Sequence, residues 1–163
     1  PRSELPMAPH PALAQQYMPV MFIGEYRHSV DDKSRMAIPA KFRSALQRGA
    51  VVTKGLDACL VIYPEGEWKE LADKLAKLPI SQANTRAFSR FVLSGAMDIE
   101  LDKQGRMLLP DYLRQYAKLG RKVTIVGIGT RLEIWDEKEW EKYRKATEKD
   151  SMDIAEKLGE MAI

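Results

Sequence analysis

From Met21 onward the chain alternates two kinds of apolar spacing. Residues 25–30 and 35–38 carry period-2 patterns that predict short strands, separated by the polar turn Asp31-Asp32-Lys33-Ser34. Pro39 ends the second strand because it has no N–H for a ladder. Its fixed φ suits the first turn of a helix over 39–46, with Phe42 and Leu46 facing inward. Strands over 51–54 and 59–63 follow, joined by a short link over 55–58. The period then lengthens to that of a helix. Trp68, Leu71, Leu75 and Leu78 fall on one stripe and predict a helix over 65–77, which Pro79 terminates. A further helix over 81–93 turns Phe88, Phe91 and Val92 toward the second half.

That second half repeats the first. Gly24, Asp31, Arg35, Met36, Pro39, Arg43, Gly49, Val52 and Thr53 recur 71 residues later as Gly95, Asp102, Arg106, Met107, Pro110, Arg114, Gly120, Val123 and Thr124. One inserted residue shifts the offset to 72. In that frame Gly55, Leu60, Ile62, Glu65, Glu67 and Trp68 recur as Gly127, Leu132, Ile134, Glu137, Glu139 and Trp140. Identities this numerous at a nearly constant offset mark an internal duplication. The second copy therefore predicts strands over 97–101, 106–109, 123–126 and 131–135, a short helix over 110–117 and a hairpin link over 127–130. A helix through Trp140 and Tyr143 runs into a tail bearing Met152, Ile154, Leu158 and Met161.

Four short strands per copy are too few to enclose a core. The expected fold class is α+β, mainly β, with both copies closing one pseudo-twofold β-barrel and helices outside it. The boundaries follow: repeats at 25–67 and 96–139, a helical connector at 68–95 and a helical tail at 140–163. Residues 1–20 hold five of the nine prolines and show no sustained period, basic n-region or apolar run of a secretory signal. They are expected to be a tag-derived or disordered tail, with the native chain starting at Met21.

Composition adds limits rather than a function. No run of 18 apolar residues is present for a membrane-spanning helix. One cysteine, Cys59, excludes an intrachain disulfide and a cysteine-rich metal site. The net charge of +3 conceals a gradient. Between Arg27 and Lys54 seven basic residues face two acidic ones, whereas from Glu133 onward ten acidic residues face six basic ones. A basic surface focused on the first strand–turn–helix suits a polyanion. Enzyme chemistry finds little to use. His28 has no histidine, cysteine or paired carboxylate at ligand spacing, and Gly127-Ile128-Gly129 lacks the third glycine of a dinucleotide fingerprint and reads as a hairpin turn. No cofactor, metal or small-molecule substrate is expected.

The start MFIGEYRHSVDDKSRMAIPAKFR, the D-x-x-x-R turn followed by an apolar strand and proline, and its second copy LDKQGRMLLP together resemble the MraZ family. These are bacterial transcriptional regulators of the division and cell-wall gene cluster, within the AbrB-like (SpoVT-AbrB) swapped-hairpin superfamily. The resemblance covers Met21 to about Tyr143; Ser34 departs from the glycine usual in the first turn. It implies two AbrB-like repeats in one double-psi β-barrel, chains assembled into a homo-oligomeric ring, and no enzymatic activity. It further implies an autoregulatory repressor, cytoplasmic and nucleoid-associated, that binds short G-rich direct repeats in double-stranded promoter DNA of its own operon. Carried onto this chain, the DNA-contact motif is Asp31 and Arg35 in the first copy and Asp102 and Arg106 in the second.

Chemistry gives these residues roles. Arginine is suited to a bidentate contact with guanine O6 and N7, and the aspartate four residues earlier can orient the guanidinium or cap the turn amides. Lys33, Lys41 and Arg43 are the expected phosphate contacts. Two alternatives stand beside this reading: an Asp–Arg ion pair that only stabilises the turn, and an antitoxin-like or scaffold protein of the same superfamily that acts mainly by binding protein. The apolar positions Leu75, Leu78, Phe88 and Phe91 exceed what one small barrel covers, which agrees with a ring.

Overall fold

The alternation that opens each repeat becomes strand pairing between repeats. In the computed structural model, which describes residues 21–161, the first repeat supplies β1 (Phe22–Ser29), β2 (Arg35–Ala37), β3 (Ala50–Lys54) and β4 (Leu60–Pro64). The second supplies β5 (Met97–Ile99), β6 (Arg106–Leu108), β7 (Lys122–Gly129) and β8 (Arg131–Asp136). The helices are α1 (Ala40–Leu46), α2 (Glu65–Ala76), α3 (Ala83–Ser94), α4 (Asp111–Tyr116), α5 (Glu137–Lys149) and α6 (Ser151–Gly159). Every strand and helix expected within residues 21–161 forms. The tail expected over residues 1–20 lies outside the described residues.

Six strands form an antiparallel sheet in the order β1-β7-β8-β4-β3-β5, while β2 and β6 form a separate two-stranded ribbon. The sheet is open, with β1 and β5 as its edges, so hydrogen bonding among the described strands does not close the expected barrel. The edges are unequal: β1 has eight residues and β5 only three.

A pseudo-twofold relation nevertheless organises the molecule. Met36 pairs with Met107, and Val61 with Glu133, positions that correspond in the duplication. Antiparallel ladders centred on corresponding residues are what a twofold axis through each ladder requires. The turns also interlock. The Ile38 N–H donates to the Gly105 carbonyl (2.9 Å), and the Leu109 N–H donates to the Ser34 carbonyl (2.8 Å). Each repeat thereby completes the backbone hydrogen bonding of the other.

The main core is shared in the same way. Phe22, Met36, Val52, Leu60 and Ile62 from one repeat pack with Met107, Leu113, Ile125, Leu132 and Ile134 from the other. On the opposite face of β4, β7 and β8, Cys59, Val61, Val126 and Trp135 form a second cluster, covered by Trp140 and Tyr143 of α5. Burial there pushes the Cys59 thiol up to about 12. The Asp136 carboxylate starts α5 by accepting from the Lys138 and Glu139 N–H groups.

The connector helices pack as expected in part. Leu75 is buried, the Thr53 hydroxyl donates to the Val92 carbonyl (2.6 Å), and Phe91 meets Tyr116 of the second repeat edge-on at 5.7 Å. Leu78 and Phe88 remain partly exposed. One expectation is corrected. Gly127 lies inside β7, paired with Gly24 and Leu132, and only Gly129 turns the chain, at φ +67°. The reason is close approach: a Cβ at Gly127 would lie 2.3 Å from the Ile23 backbone nitrogen.

Candidate nucleic-acid interface

An aspartate that opens a tight turn can cap amides further along it. Asp31 does so twice through one oxygen: its Oδ1 accepts from the Lys33 and Arg35 N–H groups, each at 2.9 Å. The Asp31 N–H donates to the Arg35 carbonyl, and the Ser34 N–H to the Asp31 carbonyl, which closes the turn. The other carboxylate oxygen, Oδ2, accepts from Arg35 Nε at 2.8 Å.

The second copy repeats this arrangement: Asp102 Oδ1 accepts from the Gln104 and Arg106 N–H groups at 2.9 Å, and Oδ2 accepts from Arg106 Nε at 2.8 Å. The fourth turn residue is left-handed in both copies, Ser34 at φ 61° and Gly105 at φ 73°. Backbone hydrogen bonds from each arginine, seconded by its side chain, hold Asp31 and Asp102 below the ordinary aspartate value.

Both arginines use Nε for this bond, which leaves the terminal Nη1 and Nη2 nitrogens of each guanidinium out of the clamp. The ribbon register places Arg35 opposite Leu108, and Arg106 opposite Ala37. Met36 and Met107, between them, are fully buried. Because successive side chains alternate in a strand, Arg35, Ala37, Arg106 and Leu108 share the outer face of the ribbon. Arg35 and Arg106 are diagonal neighbours there, about 7–8 Å apart at Cα.

The flanking basic residues separate into two kinds. Lys33 is exposed at the tip of the first turn. Lys41, also exposed, stands over the rings of Tyr26 (4.7 Å) and Phe42 (5.0 Å). Arg43 instead reaches across to the other repeat: its Nε donates to the Ile38 carbonyl (2.9 Å), and its side chain covers Gly105, where a Cβ would lie 2.1 Å from Nε. Its counterpart Arg114 covers the first turn and donates from Nη1 to Ser34 Oγ (2.6 Å). Each turn is thus braced by an arginine from the opposite repeat.

That bracing was not read from the residue order, although Arg43 and Arg114 stand among the duplicated positions. Also missed was Leu108, hidden in the apolar run Met107-Leu108-Leu109 and exposed at 62% between two buried neighbours. Nearby, burial and then the Arg43 charge lower the pKa of His28. Among the described residues, no helix is long and apolar enough to cross a membrane.

Comparison with known proteins now decides the family. The model of the family described as "MraZ protein, putative antitoxin-like" matches twice, over residues 21–91 and 92–160. The chain belongs to the MraZ family. Its MraZ-family relatives include the "Transcriptional regulator MraZ" of Moorella thermoacetica, 51% identical over 85% of this chain and 96% of the relative. Proteins of the same name from Desulforamulus reducens and Clostridium acetobutylicum are each 49% identical, over 85% and 88% of this chain and 97% and 100% of theirs. The two MraZ matches divide the chain within the last turn of α3, and each contains one clamped turn.

Proposed function

We propose that this protein is a DNA-binding transcriptional regulator that reads short G-rich direct repeats in the promoter of its own operon, as an autoregulatory repressor. One observation carries the reading: two identical Asp–Arg clamps present guanidinium ends on one face of a two-stranded ribbon. The names of the relatives agree with it. A β-ribbon fits the major groove of B-DNA, where guanine offers O6 and N7 to two arginine nitrogens.

In this reading Arg35 and Arg106 contact bases and Asp31 and Asp102 fix their orientation. The ion pair that stabilises the turn is then the same bond that aims the arginine. Lys33 and Lys41 contact phosphate. Arg43 joins them in the proposal: its Nε donates to the Ile38 carbonyl, so a phosphate contact would use its terminal nitrogens while the same side chain seats the second turn.

The finer parts of the proposal have their own support. A double-psi arrangement is supported by the reciprocal hydrogen bonds between the turns. A homo-oligomeric ring is supported by Leu78, Ile80 and Phe88, which stay exposed on or beside the connector helices. Tandem promoter boxes would suit tandem protomers.

Footprinting of the region upstream of the protein's own gene, with wild type and Arg35→Ala, tests the reading. A bidentate guanine contact is worth roughly 1–3 kcal/mol, so Arg35→Ala is expected to lose about 10–100-fold in specific affinity at unchanged oligomer size. Undiminished protection by that variant refutes Arg35 as a base reader. If both variants lack a footprint and bind protein instead, the antitoxin-like reading takes its place.

A further inference from the structure

Leu108 is the large apolar side chain on the outer face of the ribbon. It is 62% exposed while Met107 and Leu109 on either side are buried to 1% or less. A single exposed leucine is ordinary on a protein surface; its place here is not. The register sets Leu108 directly across from Arg35, so the two Cβ atoms are about 5 Å apart. Its equivalent by the duplication is Ala37, opposite Arg106. The ribbon face therefore carries two equally clamped arginines but unequal apolar neighbours, long beside Arg35 and short beside Arg106.

We propose that Leu108 is a specificity-determining residue that packs on the C5-methyl group of a thymine next to the guanine contacted by Arg35. This rests on the DNA-reading function proposed above. In the major groove the thymine C5-methyl is the apolar group that A·T and T·A pairs carry and G·C and C·G pairs lack, and an aliphatic side chain recognises it by contact alone. Stacked bases are about 3.4 Å apart, so a side chain about 5 Å from Arg35 at Cβ meets a base one or two steps away. A leucine there also displaces water from beside the Arg35 guanidinium, which strengthens its hydrogen bonds to the base. Charge favours duplex DNA over a protein occupant. The apolar side chain is flanked by Arg35 and Arg106, with Lys33 at the turn tip; the Asp31 and Asp102 carboxylates are bonded to these arginines, and Asp32, exposed in the first turn, has Arg121 at 3.7 Å.

The probe is the duplex protected upstream of the protein's own gene, with each thymine in and beside the G-rich boxes replaced singly by deoxyuridine. That change removes the methyl and nothing else. Wild type is expected to lose about 3–10-fold in affinity at one such position, the amount associated with burying a methyl. The position should lie within two base pairs of a guanine whose 7-deaza substitution weakens wild type but not Arg35→Ala. Leu108→Ala should bind the thymine and deoxyuridine duplexes equally, and Leu108→Met should retain the discrimination.

A wild type indifferent to every methyl overturns the proposal, as does a Leu108→Ala variant with the wild-type preference. A footprint that depends on Arg35 but on no methyl refutes the role of Leu108 alone. No footprint, or one that Arg35→Ala leaves intact, refutes the base-reading function and the Leu108 proposal with it.

Discussion

Gly105 offers a sharp test of how the turns are held. Replacing it with alanine adds one methyl at φ 73° in the space occupied by Arg43, whose Nε and Cδ would be 2.1 and 2.4 Å from the new Cβ. Two effects add. A left-handed backbone costs an L-residue about 1–2 kcal/mol. Displacing Arg43 breaks its bond to the Ile38 carbonyl, worth about 1–1.5 kcal/mol. The sum is about 3 kcal/mol. For a domain of this size about 4 °C of Tm accompanies each kcal/mol, so a drop of about 12 °C is expected.

Ser34→Gly is the matched control. It relieves about 1 kcal/mol of backbone strain at φ 61° but removes the hydroxyl that accepts from Arg114, so the two effects nearly cancel. Thermal unfolding followed by circular dichroism reads both. A Gly105→Ala variant melting within about 2 °C of wild type refutes the bracing argument, since both of its parts would have to be absent. A Ser34→Gly variant as unstable as Gly105→Ala would refute the claim that the two turns differ.

Two further expectations concern the core and the response to pH. Met36→Ala and Met107→Ala should each lose about 3 kcal/mol in urea unfolding and agree within about 1 kcal/mol, because each is fully buried at corresponding places on the central ribbon; a large difference would contradict the shared core. Asp31, Asp102 and His28 all hold protons less tightly when folded. The aspartate contribution is complete above the ordinary value of 3.8 and is lost as pH falls through the lower folded values. The His28 contribution is complete above 6.5 and is lost as pH falls through its own lowered value. Unfolding free energies measured downward from about pH 8 should therefore begin to decline below about pH 6.5, and His28→Gln should remove that first decline. A variant that keeps it places the titrating group elsewhere.

Most of the fold was legible because strands and short helices are written in local period, and because the duplication confirms each element twice. What was not legible depended on contacts between repeats. Nothing local marks Gly127 as a strand residue: the backbone of β1, more than a hundred positions earlier, excludes a side chain there. The packing of Arg43 over the Gly105 turn was not legible because that turn lies in the other copy. The open sheet was equally hidden: the alternation over 97–101 gives a strand, but not that only Met97–Ile99 pairs and that β5 ends the sheet. The Asp31–Arg35 and Asp102–Arg106 pairs were legible because the turn that joins them is only five residues long.

The ladder centred on Met36 and Met107 has a consequence for the information one protomer can hold. Two separate copies of a half-length chain meeting at such an axis would carry the same residue on both sides. They could read only a site that looks the same from either direction. Joined in one chain, the halves are free to differ, and they have: one turn holds serine where the other holds glycine, and one ribbon strand holds alanine where the other holds leucine. A face with a distinct left and right can tell the forward sense of a sequence from its reverse. Boxes arranged head to tail can be read only by a surface that has such a polarity.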